Sequence, residues 1–148
     1  MTDFTIDSKA TGGIDTRWRA GRLGADEGRP GQLKLSAFVD GTHYNIGNSF
    51  NTIPSGVAVA EHADGEYVPW DPTAGAEGDY RRVLAGYIND DEGIALFRRE
   101  GVAKSTKSTF SLLIVGIIDP SVLPIAAQRA AVAATRTSGL TTGSFTYL

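Results

Sequence analysis

The sequence predicts an α+β protein, mainly β, with one short Ala-rich helix. Three observations predict it. Residues 53–71, IPSGVAVAEHADGEYVPWD, place Val57 and Val59, then Tyr67 and Val68, on either side of Asp64-Gly65, the pattern of two strands joined by a tight turn. Glycine supplies 18 of the 148 residues, mostly in turn-like contexts, which favours a strand-heavy fold over a helical bundle. Residues 122–135 form an Ala-rich run behind Asp119-Pro120-Ser121, a helix-start signal with proline in the first turn.

In chain order, residues 1–31 read as a flexible N-terminal arm. Its glycines and Pro30 interrupt any apolar periodicity, and Trp18 stands out between Arg17 and Arg19, with Arg22 nearby. A tryptophan there either folds back as an anchor on its own domain or docks into a partner, where Trp and Arg are common hot-spot residues. Residues 32–51 read as a β-hairpin extension: Leu33, Leu35, Ala37 and Val39 alternate before the Asp40-Gly41 turn, with Tyr44, Ile46 and Phe50 returning. The domain proper covers 52–148. After the 53–71 hairpin come a Gly-rich loop at 72–79, an apolar strand at 82–88 and an acidic turn at 89–93. Strands at 94–97 and 109–118 follow, the second rich in β-branched and aromatic residues. The helix at 122–135 is expected to bury Leu123, Ala126, Ala127, Ala130 and Ala134. Gly139 ends it, and 143–148 reads as a final strand.

Bulk properties exclude several classes. Hydrophobic content of 41% and charged content of 21% are those of a chain with a packed core. Net charge is -3 but uneven. Residues 1–30 carry five basic and five acidic groups, 31–93 three and ten, and 94–148 six and two. The acidic middle repels nucleic acid, and no aromatic residues interleave with the basic charges at the end, so no nucleic-acid partner is expected. With no cysteine, disulfides, a Cys-based zinc site and a thiol nucleophile are excluded, which suits assembly in a reducing cytoplasm. The first 13 residues lack a basic-then-apolar leader pattern. The most apolar window, 110–127, is broken by Asp119, Pro120 and Pro124, so no membrane span is expected.

The residues for catalysis are sparse. His43 and His62 are the only histidines, and neither stands in a nucleophile or zinc motif. Asp64, Glu66, Asp71, Glu77 and Asp79 cluster in sequence, and Asp90, Asp91 and Glu92 are consecutive. Neither group has calcium-loop spacing, and both lie in turns, where Asp and Gly serve the backbone. The Lys104–Thr109 segment, KSTKST, lacks the glycines of a phosphate loop. The chain is therefore expected to be no enzyme and to need no metal or cofactor.

An ordered set of motifs does carry information. IPSGVAV is followed by Val68-Pro69-Trp70-Asp71, a Gly-rich loop and Val-Leu-Ala-Gly at 83–86. Then come an apolar strand, DPSVLP at 119–124, the Ala-rich helix, a glycine and the C-terminal strand. Over residues 53–148 this order resembles the lambda-type phage head-decoration, or capsid cement, proteins. The resemblance implies a β-tulip-like domain, homotrimers on the outer surface of the expanded head and stabilisation against the pressure of packed DNA. The partners it implies are the major capsid protein and the chain itself. It implies assembly in the host cytoplasm and an N-terminal arm that orders on the capsid by strand addition, in agreement with the reading of 1–31. On this reading Arg17, Trp18, Arg19 and Arg22 are expected to touch the capsid, and Pro54, Pro69 and Trp70 are candidates for the trimer interface. Trp70 and Asp71 carry over as fold residues. The 32–51 hairpin and residues 89–104 have no counterpart in short family members. The competing expectation is a tail or baseplate adaptor, or a glycan-binding module using exposed Tyr44, Tyr67, Trp70 and Tyr80. A hydrolase using the acids of 64–79 is the third class weighed.

Overall fold

Strands buried on both faces read as unbroken apolar runs, and such runs build the centre of this molecule. The computed structural model describes residues 15–46, 51–98, 103–104, 107–133, 137 and 139–148. The chain is α+β and mainly β. Five strands close into a barrel: β1 (Arg29–Lys34), β3 (Ala58–Glu61), β4 (Tyr67–Pro69), β5 (Gly86–Ile88) and β9 (Lys107–Leu113), in the order β1-β4-β3-β5-β9. All contacts around the ring are antiparallel except β1 with β4, which are parallel and meet at one pair, Leu33↔Tyr67. Among the described residues, three two-stranded sheets accompany the barrel. β2 (Thr52–Ile53) pairs with β6 (Ile94–Ala95), and β7 (Phe97–Arg98) with β8 (Ala103–Lys104). β10 (Val115–Ile118) runs parallel to β11 (Ser144–Tyr147). The helix α1 spans Ala126–Ala133.

Side-chain alternation along the strands divides the apolar residues between two cores. Val57 and Val59 point into the barrel with Leu33, Ile88, Phe110 and Leu112. Ala58 and Tyr87 point the other way, into a second core with Trp18, Trp70, Leu113, Ile118 and Val132. The helix closes this second core. Its buried face holds Gln128 and Val132. The Gln128 side chain accepts from Ala58 N (2.9 Å) and donates to Ala58 O and Trp70 O (both 2.9 Å). One amide thus bonds three backbone groups that the helix cuts off from water, of which Ala58 O also accepts from Trp70 N at 2.9 Å.

The 53–71 hairpin forms as its sequence predicts, with Glu61↔Tyr67 next to the turn. Four other expectations need correction. Residues 32–51 are not a hairpin: Gln32–Lys34 belong to β1 and pair with β9, and Leu35–Ala37 is a single 3-10 turn. Asp40-Gly41 does turn the chain, with Gly41 N donating to Tyr44 O at 2.8 Å. Phe50 lies outside the described residues. The arm does not extend to residue 31, because Arg29–Gly31 pair with β9 in the barrel. The helix begins at Ala126 rather than 122, because Asp119-Pro120-Ser121 opens a separate 3-10 turn (Pro120–Val122), and it exposes Ala126, Ala127 and Ala130; Ala134 lies outside the described residues. Alanine contributes too little apolar area to orient a helix, so the longer Val132 and the hydrogen-bonding Gln128 turn inward instead. Finally, 109–118 is two strands, broken at Ile114, where the chain passes from barrel to outer sheet.

Several turns are capped by their own acids. Asp119 accepts from Ser121 N, and Asp71 accepts from Thr73 N. Asp79 accepts from Arg81 N and binds the Arg81 guanidinium, which holds its carboxyl at about 2.

Replacing Gln128 with alanine is expected to lower unfolding free energy by about 2–4 kcal/mol in a urea titration, because the buried Ala58 N–H and Trp70 carbonyl lose their bonds to it, while Ala58 O keeps Trp70 N. The Asp79 pair has a pH signature. Its carboxyl is depressed in the fold, so its contribution is present above the ordinary value of 3.8 and is lost as pH falls through about 2. Asp79→Asn should therefore lower the melting temperature near neutral pH and leave it unchanged below about pH 2.

Candidate functional site

Residues 15–28 form a strap bonded to β10 and to the turn that follows β5, and Trp18 sets its position. The indole is 1% exposed. Its N–H donates to Ser55 Oγ at 3.0 Å, and its ring lies 5.6 Å from that of Tyr87. Gly56 stands beneath the indole with φ +92°, where a Cβ would strike the ring, so only glycine fits both the backbone and the space. Backbone bonds extend the anchor to β10: Ala20 N donates to Ile117 O (2.9 Å), and Asp119 N donates to Trp18 O (2.8 Å).

The strap then crosses the acidic turn. Arg19 lies over the Trp18 ring at 5.2 Å and donates to both oxygens of Asn89 and to Asp91. Asn89 in turn donates to Ala25 O (2.8 Å). Asp90 accepts from Ser111 N at 2.8 Å, which fixes the turn to β9. Between strap and turn lies an open polar cleft of about 760 Å³, with Arg19, Arg22, Asp26 and residues 89–93 in its walls.

The four predicted arm residues therefore separate into two pairs. Trp18 and Arg19 face their own domain, so the anchor reading of the tryptophan holds and the docking reading does not. Burial in the second core yields more than exposing an indole on a loose segment. Arg17 and Arg22 remain at the surface, with side chains 74% and 88% exposed. Arg17 forks onto Asp15 and holds its carboxyl below the usual range. Arg22 lies 3.5 Å from Asp26.

The interface candidates separate too. Pro69 and Trp70 are buried, and the Trp70 indole donates to Arg82 O at 3.0 Å, so neither presents a face to a second copy. Trp70 is likewise withdrawn from any glycan-binding set, and Tyr44 is buried with it. Pro54 is half-buried and reaches the surface.

The titratable residues singled out in sequence serve local structure. His43 accepts from Val39 N through Nδ1 (2.8 Å), and burial lowers its pKa. His62 sits edge-on to Tyr80 and 3.0 Å from Asp64. Asp64 is held well below the usual carboxylate range, chiefly by Lys34 at 2.8 Å. Among the described residues, no group of three or more His, Cys, Asp or Glu could hold a metal ion, and no helix is long and apolar enough to cross a membrane. Sequence reading missed Ser55, Asn89 and Gln128, each of which joins segments far apart in the chain. Nothing in their local patterns marks them. No protein family, no curated protein and no solved structure matches this chain.

Trp18→Ala is expected to destabilise the protein by about 3–5 kcal/mol in denaturant unfolding, the cost of emptying a large buried site. Arg17→Ala and Arg22→Ala should each stay within about 0.5 kcal/mol of the parent, as exposed positions do.

Proposed function

We propose that this chain is a structural capsid decoration protein, binding as trimers to the outer surface of an expanded phage head and bracing it against internal DNA pressure. The reading rests on the ordered motifs of residues 53–148. The observation that carries it further is the strap. A segment at the N-terminus that engages a capsid subunit would pull on Asp15 and Thr16. Trp18 and the bonds to Ile117 and Asp119 would pass that load into the second core rather than let the strap peel away. Arg17, Arg22 and Leu23 are exposed, and on this reading they are the strap side chains that touch the major capsid protein. Trp18 and Arg19 act behind them by fixing the strap. Each contact is weak, and a trimer bridging several subunits gains affinity through effective concentration. Pro54 is the remaining trimer-interface candidate of the three named from sequence.

Co-sedimentation with undecorated heads tests the proposal. The shortened chain to use lacks residues 1–14; removing 1–31 would delete Trp18 and the start of β1 and unfold the domain. The expected result is saturable binding to expanded shells only. An Arg17→Glu, Arg22→Glu double variant should weaken it by about tenfold or more, since rim charges act on encounter and register. Absence of binding to either shell overturns the proposal, and glycan binding in its place selects the adaptor or adhesin class.

A further inference from the structure

The barrel is joined between β1 and β4 by the single pair Leu33↔Tyr67, and the ladder is vacant immediately before it. Hydrogen-bond alternation shows which groups this leaves open. Ser111 donates its N–H to Asp90 Oδ1, and its carbonyl accepts from Asn89 N. Its partner Pro30 therefore makes no ladder bond to it, and the same holds two residues on for Gln32 and Thr109. The Pro30 carbonyl and the Gln32 N–H consequently point away from β9, towards the side β4 would occupy. There the chain at 62–66 turns off into the hairpin loop, His62 N donating to Glu66 O at 2.8 Å. One rung of a parallel ladder, opposite Gly31, stands unfilled. A Cβ at Gly31 would meet the rings of Phe110 and Tyr67, so that aromatic pair forms the floor of the rung.

A cleft of about 490 Å³ opens on this edge, walled by β1, the Asp64-Gly65 turn, Glu66, Lys107 and Thr109. Its acids differ in how they are satisfied. Asp64 is already held by Lys34. Glu66 is satisfied less well: its Oε2 is enclosed and has no hydrogen-bond partner among the described residues, and Lys107 Nζ makes only a long ion pair with it at 3.7 Å. The Lys107 side chain is 60% exposed, so water competes with Glu66 for its ammonium group. An enclosed carboxylate oxygen without a donor is costly, and a donor brought by a ligand relieves it.

We propose that this cleft receives an extended peptide segment of another protein. The segment adds as a strand opposite Gly31, taking the Pro30 carbonyl and the Gln32 N–H, while one of its lysines or arginines donates to Glu66. Main-chain bonds supply the generic part of the affinity, and the Glu66 contact supplies the preference for a basic side chain. The site is independent of the head-binding reading, because the cleft exists whatever surface Arg17 and Arg22 touch.

The test is an amide-shift titration of the 15N-labelled full chain. The probe is the capped heptapeptide Thr-Val-Thr-Lys-Thr-Val-Thr, with its Lys-to-Glu counterpart as control. Saturable shifts at Gly31, Gln32, Gly65 and Thr109 are expected with the lysine peptide, and about tenfold weaker binding with the glutamate peptide. Glu66→Gln should erase that preference while the spectrum elsewhere stays unchanged. Gln32→Pro removes the open N–H at an edge position that tolerates proline, and should abolish binding of both peptides in a folded chain. No shift at these amides with either peptide overturns the proposal. So does equal binding of the two peptides to the unsubstituted chain, or undiminished binding by the Gln32→Pro variant.

Discussion

Burial of Trp18 is the constraint on which the rest of this architecture depends. A large aromatic ring with one polar atom is stable inside a protein only where its N–H finds an acceptor. Here Ser55 supplies the acceptor, Gly56 supplies the space and Tyr87 supplies a neighbouring ring. These three stand beside or within the barrel, while the strap backbone around Trp18 bonds to Ile117 and Asp119 at the outer sheet. One side chain therefore ties together the strap, the barrel and the outer sheet. Arg19 follows from it, since stacking on the indole aims the guanidinium at Asn89 and Asp91.

Two cores on opposite faces of the same strands explain much of the remaining composition. Val57, Ala58 and Val59 are each fully buried, but Val57 and Val59 belong to the barrel interior and Ala58 to the outer core. A helix laid over such a strand covers backbone groups as well as side chains, and Gln128 meets that cost. Tyr87 makes a similar compromise: its ring is in the outer core, and its hydroxyl reaches the Tyr147 hydroxyl at 2.7 Å. Burial in that setting pushes its ionisation well above the usual range, so it stays a neutral phenol.

The acids of this chain mostly serve turns. Asp71, Asp79 and Asp119 each cap a short turn, Asp90 fastens one to β9, and Asp64 holds Lys34 across the barrel wall. Such carboxylates, taken up by backbone or by cations, leave little free charge for chemistry. Glu66 differs because its enclosed Oε2 has no hydrogen-bond partner among the described residues, only a long ion pair with Lys107 at 3.7 Å. The same charge count in sequence thus conceals two kinds of carboxylate, and only their surroundings separate them.

The sequence by itself determined the mainly-β character, the 53–71 hairpin, the Asp40 and Asp90 turns, the presence of an Ala-rich helix and the final strand. Each of these follows from period-two alternation, turn residues or helix-start chemistry, which act within a few neighbours along the chain. Tertiary structure alone decided the closure of β1 onto β9, the break at Ile114, the inward face of α1 and the fate of Trp18. In the arm, Trp18 was identifiable as the residue that mattered, yet both of its readings were compatible with its neighbours. The choice rested on Ser55, Gly56 and Tyr87, which lie 37 or more positions away. The division of Arg17 and Arg22 from Arg19 has the same origin. Exposure and partnership are properties of packing, and packing between distant segments leaves no periodic mark in the sequence of either.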